Sequence, residues 1–235
     1  GGAGLAPLRS PEPVERIAKM MGTPLRAAEE QPERGDRLVL IQSEPLMAVA
    51  GVAARTKEGE QVSGDTGAWF KGEDGCLYVL LCDGMGSGPE AGRESGAAVL
   101  LLEQFLRAGV APEDALKTMN TALSLKGEER LGFTTIDLLR LDLFTGETAV
   151  YKYGAAPTYV KKRGTVSRIT GSALPAGLAA GERTGPDVTR LTLESGDYIL
   201  LVSDGVAGGE SDIWIRERLC AFTGDRPKEL AAALI

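Results

Sequence analysis

The chain has 235 residues, of which 43% are hydrophobic and 25% are charged, a composition typical of a globular domain with a full apolar core. The formal net charge is −7, and the short basic run at Lys161, Lys162 and Arg163 adjoins Gly164, where a hairpin tip is expected, so nucleic acid is not expected as a partner. The sequence contains no histidine, which excludes histidine bases, histidine zinc sites and phosphohistidine intermediates.

The cysteines and the apolar segments indicate a cytoplasmic protein. Cys76, Cys82 and Cys220 form no Cys-x-x-Cys motif and are expected to be reduced core thiols. Apolar stretches such as residues 97–102 are far shorter than the roughly 20 residues of a membrane helix, and no signal-peptide pattern is present. We therefore expect no membrane contact by this segment.

Residues 1–36 are predicted to be a linker or regulatory segment outside the main domain, which would span residues 37–235. The segment contains one amphipathic helix, predicted over residues 14–21, with Val14, Ile17 and Met21 on one face. Such an apolar face is a packing surface or a docking surface for a partner. It is one of two candidate surfaces for a homodimer, the other being the helical hairpin described next.

From residue 37 the sequence predicts strands in "RLVLIQ", "MAVAGVAAR" and "CLYVLLC", followed by a hairpin of two helices that are separated by Gly109 and Pro112. Strands then return in "FTTIDLLRLDL", "TAVYKYG", "PTYVKK", "TVSRI", "VTRLTL" and "DYILLVS". Two helical segments over residues 211–222 and 227–235 follow. Short connections between strands favour antiparallel pairing, so the pattern predicts an α+β domain with sheets covered by helices.

Three carboxylates stand where this pattern would bring them together. Asp83 and Asp204 each follow an apolar strand and precede a glycine, and Asp65 lies in a glycine-flanked loop. If the strands are neighbours, the three acids share one sheet edge, and like charges so close are tolerated when a cation neutralises them. Gly84 would let its backbone carbonyl approach the ion, and a set of oxygen ligands favours Mg²⁺ or Mn²⁺. The competing interpretation is that Asp-Gly simply forms a good turn.

Two other motifs suggest different chemistries and are weak. Cys220 and Arg226 have the Cys-x5-Arg spacing of thiolate phosphatases, but Cys220 is expected at the end of a helix instead of a strand, and Asp225 would repel phosphate. The segment "DGMGSGP" begins like a dinucleotide-binding fingerprint but has Pro89 in place of the last glycine.

Five segments together resemble the metal-dependent serine/threonine phosphatases of the protein phosphatase 2C class, and more narrowly the C-terminal phosphatase domain of the stage II sporulation protein E family. They are "SGD" at residues 63–65, "DGMGSG" at 83–88, "GFTTIDLLRLDLFTGE" at 132–147, "YGAAPTYVKK" at 153–162 and "LVSDGV" at 201–206. The resemblance implies a sandwich of two antiparallel β-sheets flanked by helices, an αββα arrangement, with two Mn²⁺ or Mg²⁺ ions at one edge.

The resemblance also implies roles for the acids, which would be both catalytic and metal-binding. Asp83 would bridge the two ions, Asp65 and the Gly84 carbonyl would serve one of them, and Asp204 would serve the other. Water activated by the metal would be the nucleophile, which suits a chain without histidine.

The substrate implied by the resemblance is a phosphoserine on an anti-anti-sigma-factor-like protein, in sporulation or sigma-factor control. Full-length members of the family are membrane-anchored through a segment outside this sequence. Members also carry a later Gly-Asp-Asp-Met-Thr segment with a further metal-binding Asp in the last strand, and the sequence stops at Ile235 before it. Either residues after Ile235 supply that acid or the site lacks it, and the sequence leaves both alternatives open. The alternative function is a catalytically silent, phosphatase-like binding module in a signalling complex.

Overall fold

The structure is a computed structural model and describes residues 11–28, 38–56, 62–86, 88–125, 133–178, 185–209 and 211–235. In chain order its elements are α1 (Pro11–Met21), β1 (Leu25–Ala27), β2 (Leu40–Gln42), β3 (Asp65–Lys71), β4 (Cys76–Gly84), α2 (Gly88–Arg107), α3 (Pro112–Ser124), β5 (Thr134–Asp142), β6 (Glu147–Tyr153), β7 (Thr158–Lys162), β8 (Thr165–Ile169), β9 (Asp187–Thr192), β10 (Tyr198–Leu200), α4 (Asp204–Ala207), α5 (Ile213–Ala221) and α6 (Pro227–Ala233). The chain divides into two compact units, Gly1–Met47 with Leu143–Thr145, and Ala48–Asp142 with Gly146–Ile235.

The first unit contains α1 and a small antiparallel pair of strands, β1 and β2. Leu25 pairs with Gln42 and Ala27 pairs with Leu40. The predicted amphipathic helix is present as α1, in which Val14 is buried. The predicted domain boundary between residues 36 and 37 stays a prediction.

The second unit is built around a five-stranded antiparallel sheet with the strand order β3-β4-β5-β6-β9. β4 and β5 have a neighbouring strand on each side, and their many apolar residues suit such a central position in the sheet. Helices α2 and α3 cover one face of this sheet. Their apolar residues, including Leu102 and Leu116, pack with Leu80 and Leu138 of the central strands, and all four are buried.

A second sheet contains three antiparallel strands in the order β10-β7-β8. Tyr159 of β7 and Val166 of β8 pack with α5 and α6 through Ile215, Leu219 and Leu230. Each sheet therefore has helices on its outer face, which confirms the predicted α+β sandwich. Arg163 and Gly164 both have positive φ, 48° and 81°, and form the predicted hairpin tip between β7 and β8.

Four sequence-based expectations differ from the structure. "MAVAGVAAR" is not a strand: residues 46–56 form no ladder, and Met47 and Val49 of the apolar alternation are exposed. Asp65 is not in a loop, because β3 begins there and pairs with β4. The strand before Asp204 ends at Leu200, and Asp204 begins the short helix α4. All three cysteines are free, but only Cys76 and Cys82 are buried, whereas Cys220 is exposed.

Within the described ranges, no helix is both long enough and apolar enough to cross a membrane.

Candidate active site

The site is organised by Asp83, the penultimate residue of β4. The preceding residues of the strand alternate between the two faces of the central sheet, and Asp83 is half-buried at the end of this apolar run. Its backbone is fixed on the β5 side: its N–H donates to Thr135 Oγ1 at 3.2 Å, and its carbonyl accepts from Thr134 Oγ1 at 2.7 Å. The carboxylate is therefore presented from a rigid strand end.

Asp65 lies directly opposite Asp83. The β3–β4 register pairs these two residues, and directly paired side chains in an antiparallel ladder lie on the same face, with Cβ atoms about 4.5–5.5 Å apart. The backbone N–H of Asp65 donates to Ser63 Oγ at 3.1 Å, and the N–H of Gly84 donates to the Gly64 carbonyl at 3.1 Å. The first bond is local to the start of β3, and the second holds that start against the end of β4.

Asp204 arrives at the same edge from a distant part of the sequence, as the first residue of α4. Asp83 and Asp204 line one small cavity of about 60 Å³, together with Thr135, Asp137 and Ser203. The structure thus brings together the three acids that the sequence analysis selected, from three separate segments of the chain.

Asp65, Asp83 and Asp204 place three acidic groups close together at this edge of the sheet, and their proximity affects the pKa of Asp83. Burial, as the largest cause, and then the neighbouring Asp65 and Asp204 carboxylates together raise the pKa of Asp83 to about 8. A carboxylate with so high a pKa is poorly accommodated as an anion unless a positive charge lies close by. Asp83 and Gly84 both lie in β4, and Asp204 and Gly205 begin α4, so neither Asp-Gly pair is a simple turn.

The donor chemistry of this edge fits Mg²⁺ or Mn²⁺, which prefer oxygen ligands and retain several waters. Asp65, Asp83 and Asp204 supply carboxylate oxygens, and Gly84 follows Asp83 directly. In the part of the chain that the structure describes, no group of three or more His, Cys, Asp or Glu side chains is close enough to hold an ion without rearrangement. Asp65 and Asp204 are nevertheless close enough to Asp83 for both carboxylates to raise its pKa.

Gly84 permits the close approach of β4 and α2. A Cβ atom at this position would overlap the backbone carbonyl oxygen of Ala91 and lie 2.7 Å from its carbonyl carbon. Ala91 is fully buried in the first turns of α2. The glycine is therefore required by the packing of the strand against the helix, and it fixes where the peptide after Asp83 lies.

The sequence analysis missed the residues that support the acids. Thr134 and Thr135 anchor the Asp83 backbone, and Asp137 lines the cavity on the same strand. The sequence feature that could have revealed them is the "TTID" segment at the start of β5. Its alternate residues Thr135 and Asp137 are polar, although β5 is an interior strand of the sheet.

A much larger cavity, of about 810 Å³, lies towards the opposite end of β4. Its lining includes Arg107, Arg140 and Arg190, and each of these is within 4 Å of an acidic partner. We place the candidate site at the smaller cavity because the unpaired acids converge there. The alternative thiolate site is not supported, since Cys220 lies in the last turn of α5, as the sequence predicted.

The family model of stage II sporulation protein E matches residues 73–235. The stage II sporulation protein E of Priestia megaterium is 31% identical over 186 residues, which cover 77% of this chain and 31% of that protein. The protein of the same name from Bacillus subtilis (strain 168) is 30% identical over 190 residues, which cover 79% of this chain and 23% of that protein. The chain thus spans about a third or less of the length of these curated relatives.

The fold also matches a solved structure, which contains the protein phosphatase 2C domain and a fragment of the regulatory domain of the Bacillus subtilis stage II sporulation protein E. The TM-score is 0.76 at 25% sequence identity, and the match covers 96% of this chain and 69% of that one.

Proposed function

Because the chain belongs to the stage II sporulation protein E family and carries a protein serine/threonine phosphatase domain of the 2C type, we propose that it hydrolyses phosphoserine on a small regulatory protein of the anti-anti-sigma-factor kind. Phosphatases of this class are metal-dependent, and we propose Asp65, Asp83, Asp204 and the Gly84 carbonyl as the ligands of two Mn²⁺ or Mg²⁺ ions. Members and relatives of this family act in sporulation and sigma-factor control.

The observation that carries this proposal is the convergence of three acids at one edge. Asp65 is paired with Asp83 in the ladder, and Asp204 acts on the same carboxylate from α4. Three neighbouring carboxylates without a counter-charge are unfavourable, so their convergence from β3, β4 and α4 is best explained by a bound cation.

The residues would divide the work in the following way. A divalent ion bound at this edge supplies an activated water near neutral pH and offsets the negative charge of a phosphate group. Asp83, held by the two threonine hydrogen bonds, would fix the positions of both ions relative to each other. Asp65 would serve one ion and Asp204 the other. No protein base is needed in such a site, which agrees with a chain without histidine.

The second candidate function is a silent, phosphatase-like binding module. It is favoured by one observation: among the described residues, the acids do not form a ready-made group for a metal ion. The two functions differ in what Mn²⁺ does, because a silent module would bind the phosphoprotein without releasing phosphate.

The test is phosphate release from a phosphoserine protein and from a generic aryl phosphate, with and without MnCl₂. The Asp83→Asn variant should lose release from both substrates. The matched control is Asp142→Asn, which changes an acid at the opposite end of the β4–β5 ladder, where Asp142 pairs with Cys76. Turnover that is independent of Mn²⁺, or equal loss in both variants, would contradict the assignment. Binding of the phosphoprotein without turnover would favour the silent module.

A further inference from the structure

A buried cluster of Asp137, Lys152 and Thr158 lies beside the candidate site, and none of these residues is among the proposed metal ligands. Lys152 Nζ on β6 donates to Asp137 Oδ2 on β5 at 2.6 Å and to Thr158 Oγ1 on β7 at 2.8 Å. The Thr158 hydroxyl in turn donates to the same Asp137 oxygen at 2.6 Å. The side chains of Asp137 and Lys152 are each only 1% exposed, so the cluster joins the two sheets in a fully buried position.

Burying this ion pair costs free energy that packing alone does not recover. Burial raises the pKa of Asp137 and lowers that of Lys152, while the attraction between the two opposes both shifts. A buried ion pair rarely stabilises a fold more than apolar residues of the same volume would. Packing of β5 against β7 alone therefore gives no reason for a carboxylate at this position.

One of the two carboxylate oxygens of Asp137 has no hydrogen-bond partner among the described residues. Among the described residues, Oδ1 of Asp137 is a buried side-chain oxygen that has no hydrogen-bond partner, whereas Oδ2 accepts two bonds. An unsatisfied buried acceptor costs about 1–3 kcal/mol, and more when it is charged. Such an atom indicates that a partner is missing.

The missing partner would lie in the cavity that holds the acids. Asp137 lines the same 60 Å³ space as Asp83 and Asp204. In the β4–β5 ladder Asp83 pairs with Thr135 and Leu81 pairs with Asp137, so Asp137 is the diagonal neighbour of Asp83 on the same face of the sheet. Diagonal neighbours are about 7–8 Å apart at Cα and closer at Cβ, a separation that one cation with its water ligands can span.

We propose that Asp137 supplies a further carboxylate oxygen, Oδ1, to the cation held by Asp83 and Asp204, while Lys152 and Thr158 fix the carboxylate through Oδ2. This rests on the proposed metal-dependent function. Among the residues of this sequence, the ion served by Asp83 and Asp204 would otherwise have two protein ligands, one fewer than the ion served by Asp65, Asp83 and the Gly84 carbonyl, so we expect it to be the more loosely bound of the two. Lys152 would then share the Asp137 carboxylate with the ion: its ammonium balances part of the negative charge from the Oδ2 side, and Thr158 would still hold Oδ2 if Lys152 were removed.

The experiment measures Mn²⁺ binding to the 235-residue chain by calorimetric titration, together with the rise in melting temperature that Mn²⁺ produces. The variants are Asp137→Asn/Lys152→Met, which removes both buried charges at once, and Lys152→Met, which removes only the competing positive charge. The control is Lys161→Met. Lys161 is also a buried lysine, but its ammonium donates to the carbonyls of Cys220 and Phe222, beside the helices of the other sheet.

We expect the double variant to weaken the looser Mn²⁺ site by about 10–100-fold and to leave the tighter site unchanged. Lys152→Met should have the opposite effect, a larger rise in melting temperature with Mn²⁺ than the wild type, because the ion then replaces the lost counter-charge. Lys161→Met should show the wild-type rise.

Several results would overturn the inference. If the double variant folds and binds Mn²⁺ at both sites as the wild type does, the cluster is a structural ion pair. If the double variant does not fold, Lys152→Met still decides, since an unchanged or smaller Mn²⁺ effect in that variant refutes the proposal. If the wild-type chain itself binds no Mn²⁺, the proposed function fails and this inference fails with it.

Discussion

Replacing Gly84 by alanine tests whether the close packing of β4 against α2 sets the geometry of the acids. The added Cβ would lie 2.7 Å from the carbonyl carbon and 2.9 Å from the Cα of Ala91, besides overlapping the carbonyl oxygen. Ordinary carbon–carbon contacts are about 3.5–4.0 Å, so strand and helix must separate by roughly 1 Å. The obstructing atoms belong to the backbone, so no side chain can rotate to make room.

The expected cost follows from this overlap. Overpacking of a filled interior destabilises a protein by about 1–3 kcal/mol, and the reduced freedom of alanine in the unfolded chain returns about 0.4–1 kcal/mol. We therefore expect Gly84→Ala to lower the free energy of unfolding by about 1–2 kcal/mol. The shift also moves the Asp83–Gly84 peptide, and a misplacement of about 1 Å in an active site can cost 10²-fold in rate.

The matched control is Gly96→Ala, at the same helix–sheet interface. There the nearest atom to the added Cβ is Thr66 Oγ1 at 3.8 Å, an ordinary contact, and the residue lies inside α2. This substitution should raise stability by about 0.5–1 kcal/mol through helix propensity and leave turnover unchanged. Urea unfolding and Mn²⁺-dependent hydrolysis of an aryl phosphate measure both effects. A Gly84→Ala protein as stable and as active as the wild type would show that the strand–helix contact does not control the site.

Three other predictions follow from individual side chains. Asp83→Asn should reduce phosphate release by about 10³-fold while the circular dichroism spectrum stays that of the wild type, because the sheets are held by apolar strands; more than a tenth of wild-type activity would exclude Asp83 as a bridging ligand. Met119→Ala, at a position of α3 that is only 2% exposed, should lower the free energy of unfolding in urea by about 2–5 kcal/mol, and a loss below 1 kcal/mol would mean that the helical hairpin repacks. Cys220→Ser should keep full activity, since its thiol is exposed at the end of α5, and inactivation would revive the thiolate mechanism.

Most of the fold could be predicted because its strands and helices have clear apolar periodicity. β4 and β5 are dominated by large apolar residues, and α3 begins on Pro112 with acidic residues in its first turn. The segment "MAVAGVAAR" has the same alternation as a strand, yet forms none. Its Gly51 lies against the backbone of Pro227 and Lys228, so this part of the segment packs closely against α6 without entering a ladder. Sequence periodicity reports which residues are apolar, but it cannot report whether a neighbouring strand is available.

The acids of the site could be selected from the sequence, whereas their supports could not. Asp83 and Asp204 follow apolar runs and precede glycines, which is a local signal. The glycines around Asp65 predict a loop there, and only the pairing of β3 with β4 shows that a strand begins at this residue. The Lys152–Asp137 contact depends on strand register and on the approach of a second sheet, which no local pattern contains.

The placement of the charges also explains how the domain tolerates them. Asp65, Asp83 and Asp204 gather at one end of the central strands, while the large buried residues, among them Leu80 and Leu138, lie further along the same strands. Repulsion among the acids is therefore confined to an edge and opposes a core that does not depend on them. Asp137 differs in this respect, because it is buried between the sheets and its charge is balanced on one side only, by Lys152. A cation at the edge would balance the other side, so the ion that relieves the repulsion among Asp65, Asp83 and Asp204 would also provide a partner for the half-satisfied carboxylate of Asp137.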